Sequence, residues 1–129
     1  MKKIALSLAL LTALLVGSLA LAGGGLLLPV ISVEPGSYDF GSVPLGAAAT
    51  GYLLVTNSGD APLIVNAVKT KAPFMDGETS FTVPAHSSRR ITIGFAPTVP
   101  GSANGYCTIQ SNAHNAPVVN VPLSGFGTE

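Results

Sequence analysis

The sequence predicts an all-β chain: an antiparallel sandwich of seven short strands behind an N-terminal export segment. Three observations carry this. Apolar residues after position 30 alternate with polar ones at period two, the pattern of strands with one buried and one wet face. Gly and Pro, eleven and nine of them after position 30, punctuate those runs at intervals of roughly 8–12 residues. No stretch repeats convincingly at 3.6 residues, so helices are not expected.

The elements follow in chain order. Met1-Lys2-Lys3 is a short basic start, and Ile4–Leu15 follows with only Ser7 and Thr12 polar. Gly17-Ser18 and Ala20-Leu21-Ala22 then supply small residues. This is the tripartite pattern of a secretory signal peptide, with cleavage placed after Ala22, so residues 1–22 form the leader. No Cys follows the site, which argues against a lipoprotein anchor. The alternative is a retained anchor, because Ile4–Leu28 runs 25 residues without a charge, enough to span a bilayer.

Residues 23–29 form a flexible apolar lead-in, and a domain is expected over 30–127. Strands are expected near 30–33 with 38–40, then 48–57, 62–69, 80–83, 89–96, 103–111 and 117–125. Within 48–57, Leu53, Val55 and Asn57 share one parity, and Tyr52, Leu54 and Thr56 the other. Ile91, Ile93 and Phe95 alternate with Thr92 and Gly94; Cys107 and Ile109 alternate with Thr108 and Gln110. Glu34-Pro35-Gly36, Pro44-Leu45-Gly46, Asn57-Ser58-Gly59-Asp60, Pro84 to Ser88 and Pro97 to Gly101 supply the turns. Gly41 and Gly46 bracket a turn where positive φ is tolerated. Asn104-Gly105 is a turn signal where the sixth strand begins. Pro122 cannot donate to a ladder and points to an edge or bulge. Thr70–Thr79 reads as an irregular crossover. Asn57, on the core parity before a turn, is expected to bond loop backbone groups.

Several of these residues recur in one order in a known family. Ile31-Ser32-Val33-Glu34-Pro35, Tyr38 to Gly46, Val55-Thr56-Asn57-Ser58-Gly59, Ala61-Pro62-Leu63, Phe95-Ala96-Pro97, Gly101 and Pro122-Leu123-Ser124-Gly125 carry it. The order resembles the ASH (abnormal spindle, hydin) immunoglobulin-like domains and their bacterial secreted relatives. Those domains are themselves similar to major sperm protein and pilus-chaperone domains. The resemblance spans about Val30 to Gly127. It implies a seven-stranded immunoglobulin-like β-sandwich and a non-catalytic interaction module, and it transfers no catalytic residue.

Composition narrows the chemistry. Six Lys/Arg balance six Asp/Glu, and 9% of residues are charged. There is no basic excess to neutralise phosphates, so nucleic acid is not an expected partner. The single Cys can form neither an internal disulfide nor a Cys-based zinc site. Cleavage after Ala22 would leave 107 residues with four cations and six acids, a net charge of −2.

Cys107, on the parity of Ile109, reads as a small core residue rather than a nucleophile; the alternative is an intermolecular disulfide. His86 and His114 stand in separate turns without metal-ligand spacing, with Asp60, Asp76 and Glu78 as further donors by type alone. Asp76-Gly77-Glu78 is too sparse for calcium. No Gly-x-Ser-x-Gly elbow singles out a serine. No cofactor is called for, and no Asn begins a glycosylation sequon.

Two segments remain for binding. Lys69, Lys71, Arg89 and Arg90 are the basic inventory past the leader and a candidate partner patch. Arg89 is expected at the rim on the side of Ile91, with Arg90 outward, both deterring sheet-to-sheet pairing. Leu26, Leu27, Leu28, Val30 and Ile31 form a candidate assembly segment. That run could insert into a neighbouring copy as a donor strand, or simply begin the monomer's first strand. The expectation is therefore an exported, periplasmic or cell-surface module that binds a protein or itself, with an enzyme or metal carrier as the remote alternative.

Overall fold

The computed structural model describes residues 26–129. The expected leader 1–22 and Gly23 to Gly25 lie outside the described residues.

Among the described residues nine strands follow in order: β1 (Ile31–Glu34), β2 (Tyr38–Pro44), β3 (Ala49–Asn57), β4 (Leu63–Lys69), β5 (Phe74–Asp76), β6 (Phe81–Val83), β7 (Ser87–Phe95), β8 (Gly101–Ser111) and β9 (Val118–Thr128). They form two sheets, a four-stranded one ordered β1-β3-β7-β5 and a five-stranded one ordered β2-β9-β8-β4-β6. The chain is the β-sandwich expected from its alternation. The strand number rises from seven to nine for two reasons. The first expected strand is split by Pro35-Gly36, so that β1 and β2 join different sheets. The expected crossover contains β5, which pairs with β7 through Phe74 opposite Phe95.

β2 runs parallel to β9, the one parallel pair among the described strands. Its register with β9 slips between Ser124 and Phe126. Gly41 lies at that slip with φ of 74°, and the Asp39 carboxylate accepts its N–H at 2.9 Å. A side chain at this φ would be strained, which is why glycine serves here. Gly46 also has positive φ, at 85°.

The core lies between the sheets. Leu53, Val55, Ile91, Ile93, Ile109 and Leu123 are all essentially inaccessible, as their parity required. One end is closed by aromatic rings: Phe74 stacks on Phe95 at 5.1 Å, Phe40 lies 5.8 Å from Phe95, and Tyr38 lies 4.8 Å from Phe40. Glycine makes room for these rings. A Cβ on Gly125 would stand 2.5 Å from the Phe95 ring, far inside van der Waals contact.

Two turn-like signals resolve differently from their sequence appearance. Asn104-Gly105 is no turn; β8 passes straight through it from Gly101 to Ser111. Gly105 instead lies under Phe74, where a Cβ would come within 3.0 Å of the ring. Pro122 lies in a strand with neighbours on both sides, but β2 joins only from Leu123 onward. Pro122 therefore sits in the half of β9 that has one partner, β8.

Candidate interaction surfaces

The first surface is built around the apolar lead-in. Leu26 and Leu27 are exposed, whereas Pro29 and Ile31 are buried. The turn after β3 accounts for the difference. Asp60 and Ala61 donate N–H groups to Leu28 O, and Ser58 donates to Val30 O. Asn57, fully buried, accepts the Val30 N–H at 3.1 Å. The loop between β8 and β9 holds the other side. His114 N–H donates to Pro29 O, and Asn115 accepts the Ile31 N–H and donates to Ile31 O, both at 2.9 Å. The Asn115 amide thus replaces a neighbouring strand at the outer edge of β1. Residues 28–31 of the candidate assembly segment are tied to their own domain, and Leu26 and Leu27 are the part left projecting.

Asn57 does what its parity implied. Its Oδ1 also accepts Gly59 N–H at 2.9 Å, and its Nδ2 donates to Ala61 O at 2.8 Å and Val83 O at 3.1 Å. One buried amide joins the N-terminal segment, the β3–β4 turn and the end of β6.

The four basic residues are not gathered. Lys69 pairs with Thr108 on the outer face of the five-stranded sheet, and Lys71 follows in the turn. Arg89 and Arg90 belong to β7 of the other sheet. Arg90 lies over the Tyr52 ring at 5.2 Å on the outer face. Arg89 points the other way, over the Phe81 ring at 4.8 Å, bridging the flank between the sheets. The candidate patch is therefore two separate pairs. Lys69 and Lys71 border a shallow groove of about 330 Å³ with Asn104, Tyr106 and Thr108.

His86, Asp60, Asp76 and Glu78 have structural partners. His86, at φ of 57°, places Nε2 2.8 Å from Asp60 Oδ1 on the surface. His114 lies in the other loop. Asp76 accepts from the Thr70 hydroxyl at 3.0 Å, and Glu78 accepts the Thr92 N–H at 3.1 Å. Among the described residues no three of His, Cys, Asp and Glu gather as a metal site. Cys107 is fully buried and unpaired. Burial, with the charge of Asp76 adding to it, pushes its thiol up from 9.0 to about 11. A thiol held protonated at neutral pH is a poor nucleophile.

Two antiparallel-dominated sheets, a first strand divided between them and a parallel β2–β9 closure define an immunoglobulin-like, PapD-like sandwich. Comparison with solved structures agrees. The ASH/PapD-like domain 7 of human CEP192 is similar at a TM-score of 0.70 and 15% identity, over 92% of this chain and 99% of that one. WR4, an MSP family member of C. elegans, is similar at 0.52 and 12% identity, over 77% of this chain and 98% of that one. The CsuC–CsuE chaperone–tip adhesion subunit pre-assembly complex of Acinetobacter baumannii is similar at 0.58 and 8% identity, over 77% of this chain and 57% of that one. No curated protein matches the chain in sequence. The family profile of ASH, abnormal spindle-like microcephaly-associated, ASPM-SPD-2-Hydin, matches residues 26–119. The chain belongs to the ASH family.

Sequence reasoning missed two features that shape these surfaces. Asn115 is an exposed loop residue with no local signal; its partner is 84 positions away. Glu78 lies in the stretch expected to be an irregular crossover, yet its carboxylate accepts the N–H of Thr92 at the edge of β7.

Proposed function

We propose that this chain is an exported, non-catalytic protein-interaction module of the cell envelope or cell surface. The observation that carries the reading is membership of the ASH family, on a sandwich in which several polar side chains are committed to structure. Asn57, Asn115, Asp76 and Glu78 each hold backbone or a neighbouring hydroxyl, and the thiol is buried. What remains for recognition is surface: strand edges, and exposed Tyr52, Tyr106 and Phe126. The similarity to a chaperone seen with its adhesion subunit supports a protein as partner and an exported setting. The basic–apolar–small start of the sequence supports export independently. No helix among the described residues is long and apolar enough to cross a membrane.

Self-assembly through residues 23–31 as a donor strand is the second reading, and exposed Leu26 and Leu27 favour it. Donation would require Leu28 to Ile31 to leave the hydrogen bonds that seat them.

Fractionation of cells producing the tagged full chain, followed by isolation from the envelope at native abundance, tests both. The module reading expects a stoichiometric second protein. Recovery from the cytosol, or of the chain alone as a monomer, would overturn it. Recovery of homopolymers that dissolve on deletion of residues 23–28 would favour the second reading.

A further inference from the structure

We propose that the free edge of β7 at Ser88–Arg90 receives an extended acidic segment of a partner protein, which adds to the four-stranded sheet as a further strand. The proposal rests on the module reading and names its surface.

The backbone supplies the first argument. β7 pairs with β3 in unbroken register, Thr50 opposite Gly94 through Thr56 opposite Ser88. On its other side β5 covers β7 only from Phe95 to Ile93. At Thr92 the cover changes: Gly77 donates its N–H to Thr92 O at 3.0 Å, and the Glu78 carboxylate accepts the Thr92 N–H at 3.1 Å. Both backbone groups of Thr92 therefore point away from β3. In a regular antiparallel strand residues two and four positions off point the same way. Arg90 and Ser88 thus turn their N–H and C=O groups to the same edge, where no other described strand pairs. β6 crosses to the other sheet instead. The result is a row of two donors and two acceptors at the end of β5, open to an incoming strand.

Charge supplies the second. Arg89 and Arg90 flank this row. Each rests on an aromatic ring, Phe81 and Tyr52, with no carboxylate partner; the one ion pair among the described residues is His86 with Asp60. Two arginines repel a second copy of the same edge and attract an acidic strand. They point to opposite faces of β7. Neighbouring residues of an added strand also point to opposite faces, so two adjacent acidic side chains would reach both cations. The fit is to an extended segment with an acidic dipeptide at its centre. Glu78 already shows a carboxylate accepting a backbone hydrogen bond at this edge.

The probe is the blocked peptide Ac-Thr-Val-Glu-Glu-Val-Thr-NH2, with Lys-Lys in place of Glu-Glu as control, titrated into the isotope-labelled protein and followed by amide chemical shifts. The proposal expects shifts centred on Ser88 to Ile91, at least tenfold weaker for the control, and weakening as salt rises. The R89E/R90E variant should reverse the preference. Equal response to both peptides, shifts centred elsewhere, no response, or an unreversed preference would overturn it. K69E/K71E should leave the response intact; its loss would place binding at the lysine groove and overturn the edge assignment. A partner from the envelope captured equally by wild type and R89E/R90E would leave the module reading standing and remove this one.

Discussion

Replacing Asn57 with alanine tests whether one buried amide holds the N-terminal segment to the sandwich. The side chain is inaccessible and makes hydrogen bonds to Val30 N, Gly59 N, Ala61 O, Val83 O and Pro84 O. The bonds to Gly59 N and Val83 O lie in the interior, where alanine leaves no substitute. An unsatisfied buried group costs about 1–3 kcal/mol, and the other three partners can turn to water. With the backbone around the alanine relaxing in part, so that each of the two interior groups costs about 1–2 kcal/mol, the expected loss is about 2–4 kcal/mol. With a urea slope of about 1.5 kcal/mol/M for a domain of this size, the midpoint should fall by about 2 M. The chain has no Trp but three Tyr, so unfolding is followed by tyrosine fluorescence and far-ultraviolet circular dichroism. Asn57→Asp should do no better, because its second oxygen would face the carbonyls of Ala61, Val83 and Pro84. A midpoint within about 0.3 M of wild type, at unchanged slope, would refute the reasoning. So would an Asp variant as stable as the native protein.

Three further outcomes follow from the packing. Gly125→Ala drives a Cβ to 2.5 Å from the Phe95 ring; overpacking of this kind should cost about 1–3 kcal/mol, read as a lowered urea midpoint, whereas Gly36→Ala, with open space around it, should be near neutral. Asn115→Ala removes both hydrogen bonds to Ile31; hydrogen exchange at the Ile31 amide should quicken by tenfold or more while Val55 stays protected, and equal protection at both would show that the clamp is dispensable. For Cys107 the native thiol titrates near 11 against 9.0 in the unfolded chain, so its contribution is intact below about pH 9. It is lost as pH rises from there toward about 11, since only the unfolded thiol readily gives up its proton. Wild type should lose stability over that window relative to Cys107→Val, and parallel pH profiles would contradict the assignment.

Most of the fold was legible because sheet alternation is a local signal. Leu53, Val55 and Asn57 fell on the buried face as their parity required, and Ile91, Ile93 and Phe95 likewise. Gly41 and Gly46 were legible because positive φ has few alternatives, although Gly41 meets it at a register slip within β2 and not in a turn. What escaped depends on partners far along the chain. Asn104-Gly105 has the composition of a turn, but Gly105 is there to admit the Phe74 ring. β5 is three residues long and offers one buried side chain, too little to show a period. The basic residues look clustered as an inventory, yet β4 and β7 belong to different sheets. The apolar run at 26–31 suggested a strand in search of a sheet. Its seat is made by Asn57 and by Asn115, 84 residues from Ile31, which no pattern within the run discloses.

Site-specific photo-crosslinking in living cells tests the central claim most directly. A crosslinking residue at Ser88, on the free edge of β7, should yield one discrete adduct with a second envelope protein. The same residue at Gly36, in the exposed β1–β2 turn, should not. Absence of any adduct from Ser88, Tyr52 or Tyr106, with the chain recovered only as free monomer, would contradict the account.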